Sequence, residues 1–296
     1  MSAQASNKLT GHSSSSFWRI SAISRLIRDP LGLLGLVLVS LLLIGALFAN
    51  HLTPYSPKAL DVKNRLAAPS MSHLLGTDQL GRDTLTRVLH GGRVALQVAA
   101  WSISIALVAG LVLGMLAGYG PRWLDNCLLL VFDAVRSFPT IIFALALITL
   151  TGPSLKMVIT VIIVTSIPVY ARIVRTQTMA LKEQEFVLAA RSLGTSWFRI
   201  LRVHFLPNVV GPLFILASMD IPVVVTIESG LSFLGMGVRP PTASWGATLA
   251  DGYAYIRVTP WLVVAGGVPL ILTTLGFTFM GEALRDILDP RLRRGL

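Results

Sequence analysis

The chain has 296 residues, of which 53% are hydrophobic and 13% charged, with a mean hydropathy of +0.71. That charged share is about half of a soluble domain's and excludes disorder, and a ~30 kDa globule does not usually hide so much apolar side chain, so a bilayer is the expected solvent. The net charge of +11 is therefore read first as topology, not as a nucleic-acid footprint, and the single Cys127 excludes an internal disulfide and any multi-cysteine metal site.

Residues 1–28 form a polar, Ser-rich start with Arg19, Arg25 and Arg28 ahead of the first apolar run. Asp29 and Pro30 suit an N-cap and a first helical position. Leu31 to Asn50 carries no charge and, at 1.5 Å per residue, can cross a ~30 Å hydrocarbon core. A cleaved signal peptide is the alternative, but the run is long for one and no small-x-small site closes it. Five further apolar stretches, at 94–119, 124–150, 157–174, 209–235 and 261–281, predict an all-α polytopic membrane protein of about six spans. Strand-like alternation is absent. More than half of the 25 Lys and Arg fall in 1–30, 120–123, 175–208 and 282–296, which places both termini in the cytoplasm, although the first outer loop is itself basic. The expected organisation is a tail (1–28), a first span with its outer loop (29–93), a five-helix core (94–281) and a second tail (282–296).

In the outer loop, Gly76-Thr77-Asp78 and Gly81-Arg82-Asp83 read as an architectural motif. The glycines permit tight turns, and Asp78, Arg82 and Asp83 can pair with one another or cap the next helix. The 236–246 stretch suits a loop at the outer interface with Trp245 as its anchor. Within the spans, Asp133 and Arg136 lie three apart and can pair on one helical face, either locking helices or lining a path. Asp220 and Glu228, eight apart, also share a face and, with Pro222 expected to break the helix nearby, are candidates for a water-accessible route; contact with a partner explains them nearly as well.

Loop 175–208 is unusual because it is long and amphipathic. A short helix from Glu185 to Leu193 ends at Gly194, which tolerates the left-handed cap. Ser196 can cap a second helix with Trp197, Ile200, Leu201, His204 and Phe205 on one face, Arg199 and Arg202 on another, and Pro207 as its stop. Amphipathicity alone leaves two readings open: a knob for a groove in a soluble partner, or a helix pair lying on anionic lipid.

Ala189-Ala190, three residues, Gly194, nine residues, then His204-Phe205-Leu206-Pro207 resembles the EAA loop (EAA-x3-G-x9-I-x-L-P) of bacterial ABC importer permeases. Leu188 replaces its glutamate and His204 its isoleucine. The run from Leu75 through Asp83 to Arg87, Gly91 and Arg93 is similar to the GTDxxGRDxxSR segment of dipeptide, oligopeptide and nickel importer permeases. Leu231-Ser232-Phe233-Leu234-Gly235-Met236-Gly237 with Pro240-Pro241 and Trp245-Gly246, and Gly281 to Pro290, resemble two later motifs of the C-type permease of that group. The resemblance implies a type I ABC importer permease fold, half of a translocation path shared with a homologous permease, and import of peptides or, alternatively, nickel or another small solute. It implies that Ala189, Ala190, Gly194, Trp197, Arg199, Arg202, Leu206 and Pro207 form a loop coupled to two cytosolic ATPases, which hold the ATP and Mg, while an extracytoplasmic binding protein delivers solute. The chain itself has no GxxxxGK[ST] phosphate loop and no HExxH pair, so neither an enzymatic role nor a cofactor of its own is expected. A stand-alone secondary transporter is the rival class; it predicts internal repeats, which are not evident here.

Overall fold

A computed structural model describes residues 26–288, so the parts of the tails carrying Arg19, Arg25, Arg291, Arg293 and Arg294 lie outside the described residues. Helix α1 (Pro30–Leu47) begins as the sequence predicts, with the Asp29 carboxylate accepting from the Gly32 amide at 2.8 Å and Pro30 at the first position. A short turn, α2 (Ala49–Leu52), follows it. Helix α3 runs from Thr84 to Tyr119, ten residues earlier than its apolar stretch suggests, because Asp83 caps it and the polar TLTRVLHGGR segment is helical too. At 36 residues it is about 54 Å long and overshoots a ~30 Å core.

The predicted third span is broken. Helix α4 (Arg122–Arg136) and helix α5 (Thr140–Thr151) meet at 84° across Ser137-Phe138-Pro139, where proline excludes the preceding residue from helical geometry. Helix α6 (Leu155–Lys182) leads into α7 (Glu185–Ser192) and α8 (Trp197–Ile200), and one π turn (Leu201–Phe205) joins α8 to α9 (Leu206–Phe233). Helix α10 (Trp245–Ala254) is short, and α11 (Trp261–Leu288) closes the bundle. Among the described residues, five helices are long and apolar enough to cross a membrane, and the α4–α5 pair makes a sixth crossing if counted as one span.

Two expectations about proline are corrected. Pro207 does not stop the loop's second helix, and Pro222 does not break the span that contains it; Trp197–Phe233 is one helical run. The π turn explains the first case. The Leu206 amide reaches back five residues to the Leu201 carbonyl, widening the helix where Pro207 has no amide to offer. Trp245 is corrected as well: it is 1% exposed, with its indole Nε1 donating to the Val88 carbonyl of α3 at 2.7 Å, so it fastens α10 to the interior and does not sit at an interface.

The most extensive helix contact joins α3 to α6. Gly110, Gly114 and Gly118 stand one above another on α3 and face Tyr170, Val174 and Thr178 of α6, so the two helices run parallel at close approach. A Cβ added to Gly114 would lie 2.6 Å from the Val174 Cβ, and one on Gly118 would lie 2.7 Å from the Thr178 Cβ. Lipid gives apolar side chains no reason to leave it, so dispersion at a backbone-to-backbone seam is what holds such helices together. Around the seam, Val98, Ile103, Ile148, Ile162, Leu213 and Leu231 build the main core. At the opposite flank, Gly35 of α1 lies against α11, where a Cβ would come within 2.6 Å of the Met280 amide.

Gly114→Val is therefore expected to destabilise the fold by roughly 1–3 kcal/mol or more through overpacking. Gly211→Ala, where nothing lies within 4 Å of an added Cβ, serves as the control. Thermal unfolding in detergent checks this, and equal midpoints for the two variants would contradict the seam.

Candidate functional site

At one end of α3 the Gly76–Arg87 segment folds into a clasp. Gly76 and Gly81 adopt φ of +69° and +74°, and Thr77 pairs with Asp83 in an isolated antiparallel bridge. These turns bring four charges together out of water. The Asp78 carboxylate, 2% exposed, accepts from the Leu80 amide at 2.8 Å, the Arg82 amide at 2.9 Å and Arg82 Nε at 2.6 Å, with Arg87 Nε at 3.4 Å. Asp83 caps α3 by accepting from the Thr86 amide at 2.8 Å and hydroxyl at 2.6 Å, and it contacts His73 Nδ1 at 2.9 Å. Arg82 also reaches Asp251 of α10 at 3.9 Å.

Of the expected roles, Asp78 pairs with Arg82 and Asp83 caps the next helix, while no Arg82–Asp83 pair forms; the basic character of this loop acquires a structural explanation. Arg82 and Arg87 are held by Asp78, while Arg93 donates to the otherwise unpaired carbonyls at the end of α1, Ala46 at 2.5 Å and Leu47 at 2.9 Å. These guanidiniums are internal ties and not free surface charge.

Burial pushes the Asp251 carboxyl above the ordinary carboxylate range, whereas the Asn64 side-chain hydrogen bond holds Asp61 below it. A raised carboxyl binds its proton more readily in the folded state, so the stability it contributes is present at low pH and lost as pH rises through the raised value. The Asp61 contribution has the opposite sign and is lost as pH falls through its lowered value.

At the other end of α3 sits a second, smaller core. Val187, Ile200, Leu201 and Phe205 are buried and pack on Met115 and Tyr119 of α3 and on Leu181 of α6. The Phe205 ring meets the Tyr119 ring edge-on at 5.4 Å, and Arg191 stacks over the other side of Tyr119 at 4.8 Å while its Nε contacts the Tyr119 hydroxyl at 3.2 Å. Gly194, at φ +75°, turns the chain between α7 and α8 as the sequence predicts. Trp197 is not on the buried face with Ile200 and Phe205. It is 55% exposed and lines, with Phe198, a hollow against Val112, Met115 and Leu116 of α3; Phe186, Leu188 and Leu193 are also exposed, as are Arg199 and Arg202. Ala189 is exposed and Ala190 half-buried, while Leu206 and Pro207 begin α9 at the base of the knob.

The four charges expected to share a path are separated. Asp133 does not pair with Arg136; it bonds Arg172 of α6, and Asp125 takes Arg175 through two contacts, one of them 2.7 Å. Arg172 reaches Asp133 through one Nη2 donor from the neighbouring helix, and Arg175 grips Asp125 with two donors as a guanidinium fork. Glu228 is 1% exposed, and Ser232, Ser244 and Ser229 donate to it at 2.7, 3.0 and 3.2 Å, so it anchors the α9–α10 connection inside packed protein. Asp220 is half-buried near the buried Tyr170 hydroxyl. Among the described residues no group of three His, Cys, Asp or Glu converges in a metal-binding arrangement. Reasoning from the sequence missed the Arg93 cap, the Trp245 tie and the glycine seam. Only the last had a visible signal, the four-residue spacing of Gly110, Gly114 and Gly118.

A parallel helix seam, a charged clasp at one end and a compact helical knob at the other define a polytopic helical membrane protein of the transport-permease class. Residues 110–294 match the binding-protein-dependent transport system inner membrane component family, and 16–69 match the N-terminal TM domain of oligopeptide transport permease C; the chain belongs to this permease family. The dipeptide transport system permease protein DppC of Alkalihalophilus pseudofirmus is 36% identical, over 93% of this chain and 90% of that protein. The di/tripeptide transport system permease protein DppC of Pseudomonas aeruginosa is 35% identical over 88% of each, and the glutathione transport system permease protein GsiD of Pectobacterium atrosepticum is 34% identical over 94% and 91%. In fold, the chain is similar to a chain of the inward-facing MetNI methionine ABC transporter, with a TM-score of 0.57 and 20% identity over 69% of this chain and 97% of that one.

Arg82→Gln is expected to destabilise the fold by about 3–5 kcal/mol, since it leaves the buried Asp78 carboxylate with one of its two guanidiniums. Exposed Lys63→Gln is expected to stay within ~0.5 kcal/mol. Asp251→Asn is expected to remove a decline in stability on the alkaline side of the ordinary carboxylate range. Unfolding midpoints measured across pH check both.

Proposed function

We propose that this permease subunit forms half of a peptide translocation path across the bacterial inner membrane, with both termini cytoplasmic. Its partners are a homologous permease, two cytosolic ATPases that hold the ATP and Mg, and an extracytoplasmic solute-binding protein; the chain holds no cofactor and catalyses no reaction. The observation that carries the reading is the knob built from α7, Gly194 and α8. Its buried half is fixed to the ends of α3 and α6, and its exposed half presents apolar side chains together with Arg199 and Arg202. A surface of that kind suits insertion into a groove of a soluble partner. ATP-driven closure of the ATPase pair then moves the knob, and α3 and α6 carry the motion into the spans as a two-state switch.

Peptides are favoured as cargo because the similar chains are named for dipeptides, di/tripeptides and glutathione. Asp220 is the remaining candidate for meeting solute, on α9, since Asp133 is held by Arg172. Glu228, sealed among three serines, holds the adjoining connection in place.

Gly194→Val places a β-branched residue at φ +75°, a strain of ~1–3 kcal/mol with no new contact to offset it. Membrane insertion is expected to be normal while uptake falls at least ten-fold relative to ATP hydrolysis. Retention of normal uptake would contradict the coupling role. In competition assays on the assembled transporter, labelled dipeptide uptake is expected to be suppressed by unlabelled dipeptide and unaffected by nickel; suppression by nickel alone would reverse the cargo assignment.

A further inference from the structure

Helix α4 is placed unlike a spanning helix. Its residues Asp125 and Asp133 lie two turns apart, ~12 Å along the axis, yet they are held by Arg175 and Arg172 of α6, which are less than one turn apart, ~4.5 Å. Such a match requires α4 to cross α6 steeply. The 84° bend at Ser137-Phe138-Pro139 then turns α5 back along the bundle, where Ala144 and Ile148 are buried in the core. Of α4 itself only Phe132 is buried.

The uncovered surface of α4 has two adjoining halves. At 100° per residue, Arg122, Asn126, Asp133 and Arg136 share one arc, and Trp123, Cys127, Leu130 and Val131 share the next. Trp123 is 67% exposed and Leu130 72%. A helix in the hydrocarbon core would expose the charged arc to lipid, and one in water would expose the tryptophan and leucine; a helix lying in the headgroup plane satisfies both. Charge on the polar side is unbalanced, with Arg122, Arg136, Arg172 and Arg175 facing Asp125 and Asp133. Arg122 and Arg136 have no hydrogen bond or ion pair among the described residues.

We propose that α4 is an interfacial helix whose Arg122 and Arg136 bind anionic phospholipid headgroups while Trp123, Leu130 and Val131 enter the acyl boundary. Because two ion pairs clamp α4 to α6, and α6 leads directly into the knob, α4 and the knob keep one mutual placement and the lipid contact sets the depth at which they sit.

Cys127, the only cysteine, lies on the apolar arc and provides a native probe. A nitroxide attached there, with the full chain in phosphatidylcholine–phosphatidylglycerol vesicles, is expected to lie ~5–10 Å below the headgroups. A label at Asn126→Cys in a Cys127→Ser background is expected to be accessible to an aqueous relaxant. Mid-bilayer depth at both positions would overturn the proposal in favour of a spanning helix, and shielding of the Cys127 label from both lipid and aqueous relaxants would overturn it in favour of a protein partner. Arg122→Gln with Arg136→Gln is expected to lower the preference for spin-labelled phosphatidylglycerol over phosphatidylcholine, roughly five-fold for each charge removed. An unchanged preference, or its complete abolition by inorganic phosphate in the wild-type chain, would also overturn it.

Discussion

The close approach of α3 and α6 is the contact on which the other features depend. Three glycines at four-residue spacing let the backbones touch, and the seam holds two parallel helices whose ends serve different purposes. One end of α3 is capped by Asp83 and anchors the charged clasp; the other supplies Met115 and Tyr119 as the floor of the knob. α6 arrives at the same floor through Leu181 and continues into α7. A displacement applied to the knob therefore reaches both helices together, and side chains larger than glycine at the seam would separate them.

Buried charge in this protein fixes geometry. Asp78, Arg82 and Arg87 are nearly sealed, and replacing such a set by apolar residues would often cost little stability. A charged set has a different property, since it is satisfied in very few arrangements. Asp78 accepts from two amides and faces two guanidiniums at once, so the loop after α2, the start of α3 and the exposed edge of α10 have one mutual placement. Glu228 with its three serines does the same for the connection between α9 and α10.

Features governed by neighbours in the chain were legible in the sequence. Asp29 and Pro30 start α1, Gly194 ends α7, Gly76 and Gly81 turn the clasp, and the apolar runs place the crossings. Features governed by distant partners were not. Nothing local to DAVR shows that Arg172, thirty-nine residues on, captures Asp133 in preference to Arg136, or that Trp245 leaves the interface to bond the Val88 carbonyl. Proline misled for a related reason: Pro207 and Pro222 are helix stops in water, but a π turn and a bilayer that penalises open backbone keep the helix running through both. In the knob, the spacing of Ala189, Gly194 and Leu206 was readable, while the exposure of Trp197, apart from the buried Ile200 and Phe205, was not.

The central claim is that the knob moves as one body with α3. Its most direct test is a spin-label distance between Leu193→Cys, on the exposed tip, and Trp123→Cys, just past the end of α3, in a Cys127→Ser background of the assembled transporter. One narrow distance is expected, the same without nucleotide and with ATP trapped. A distance that changes between those states would show instead a knob swinging on its own hinge, independent of α3.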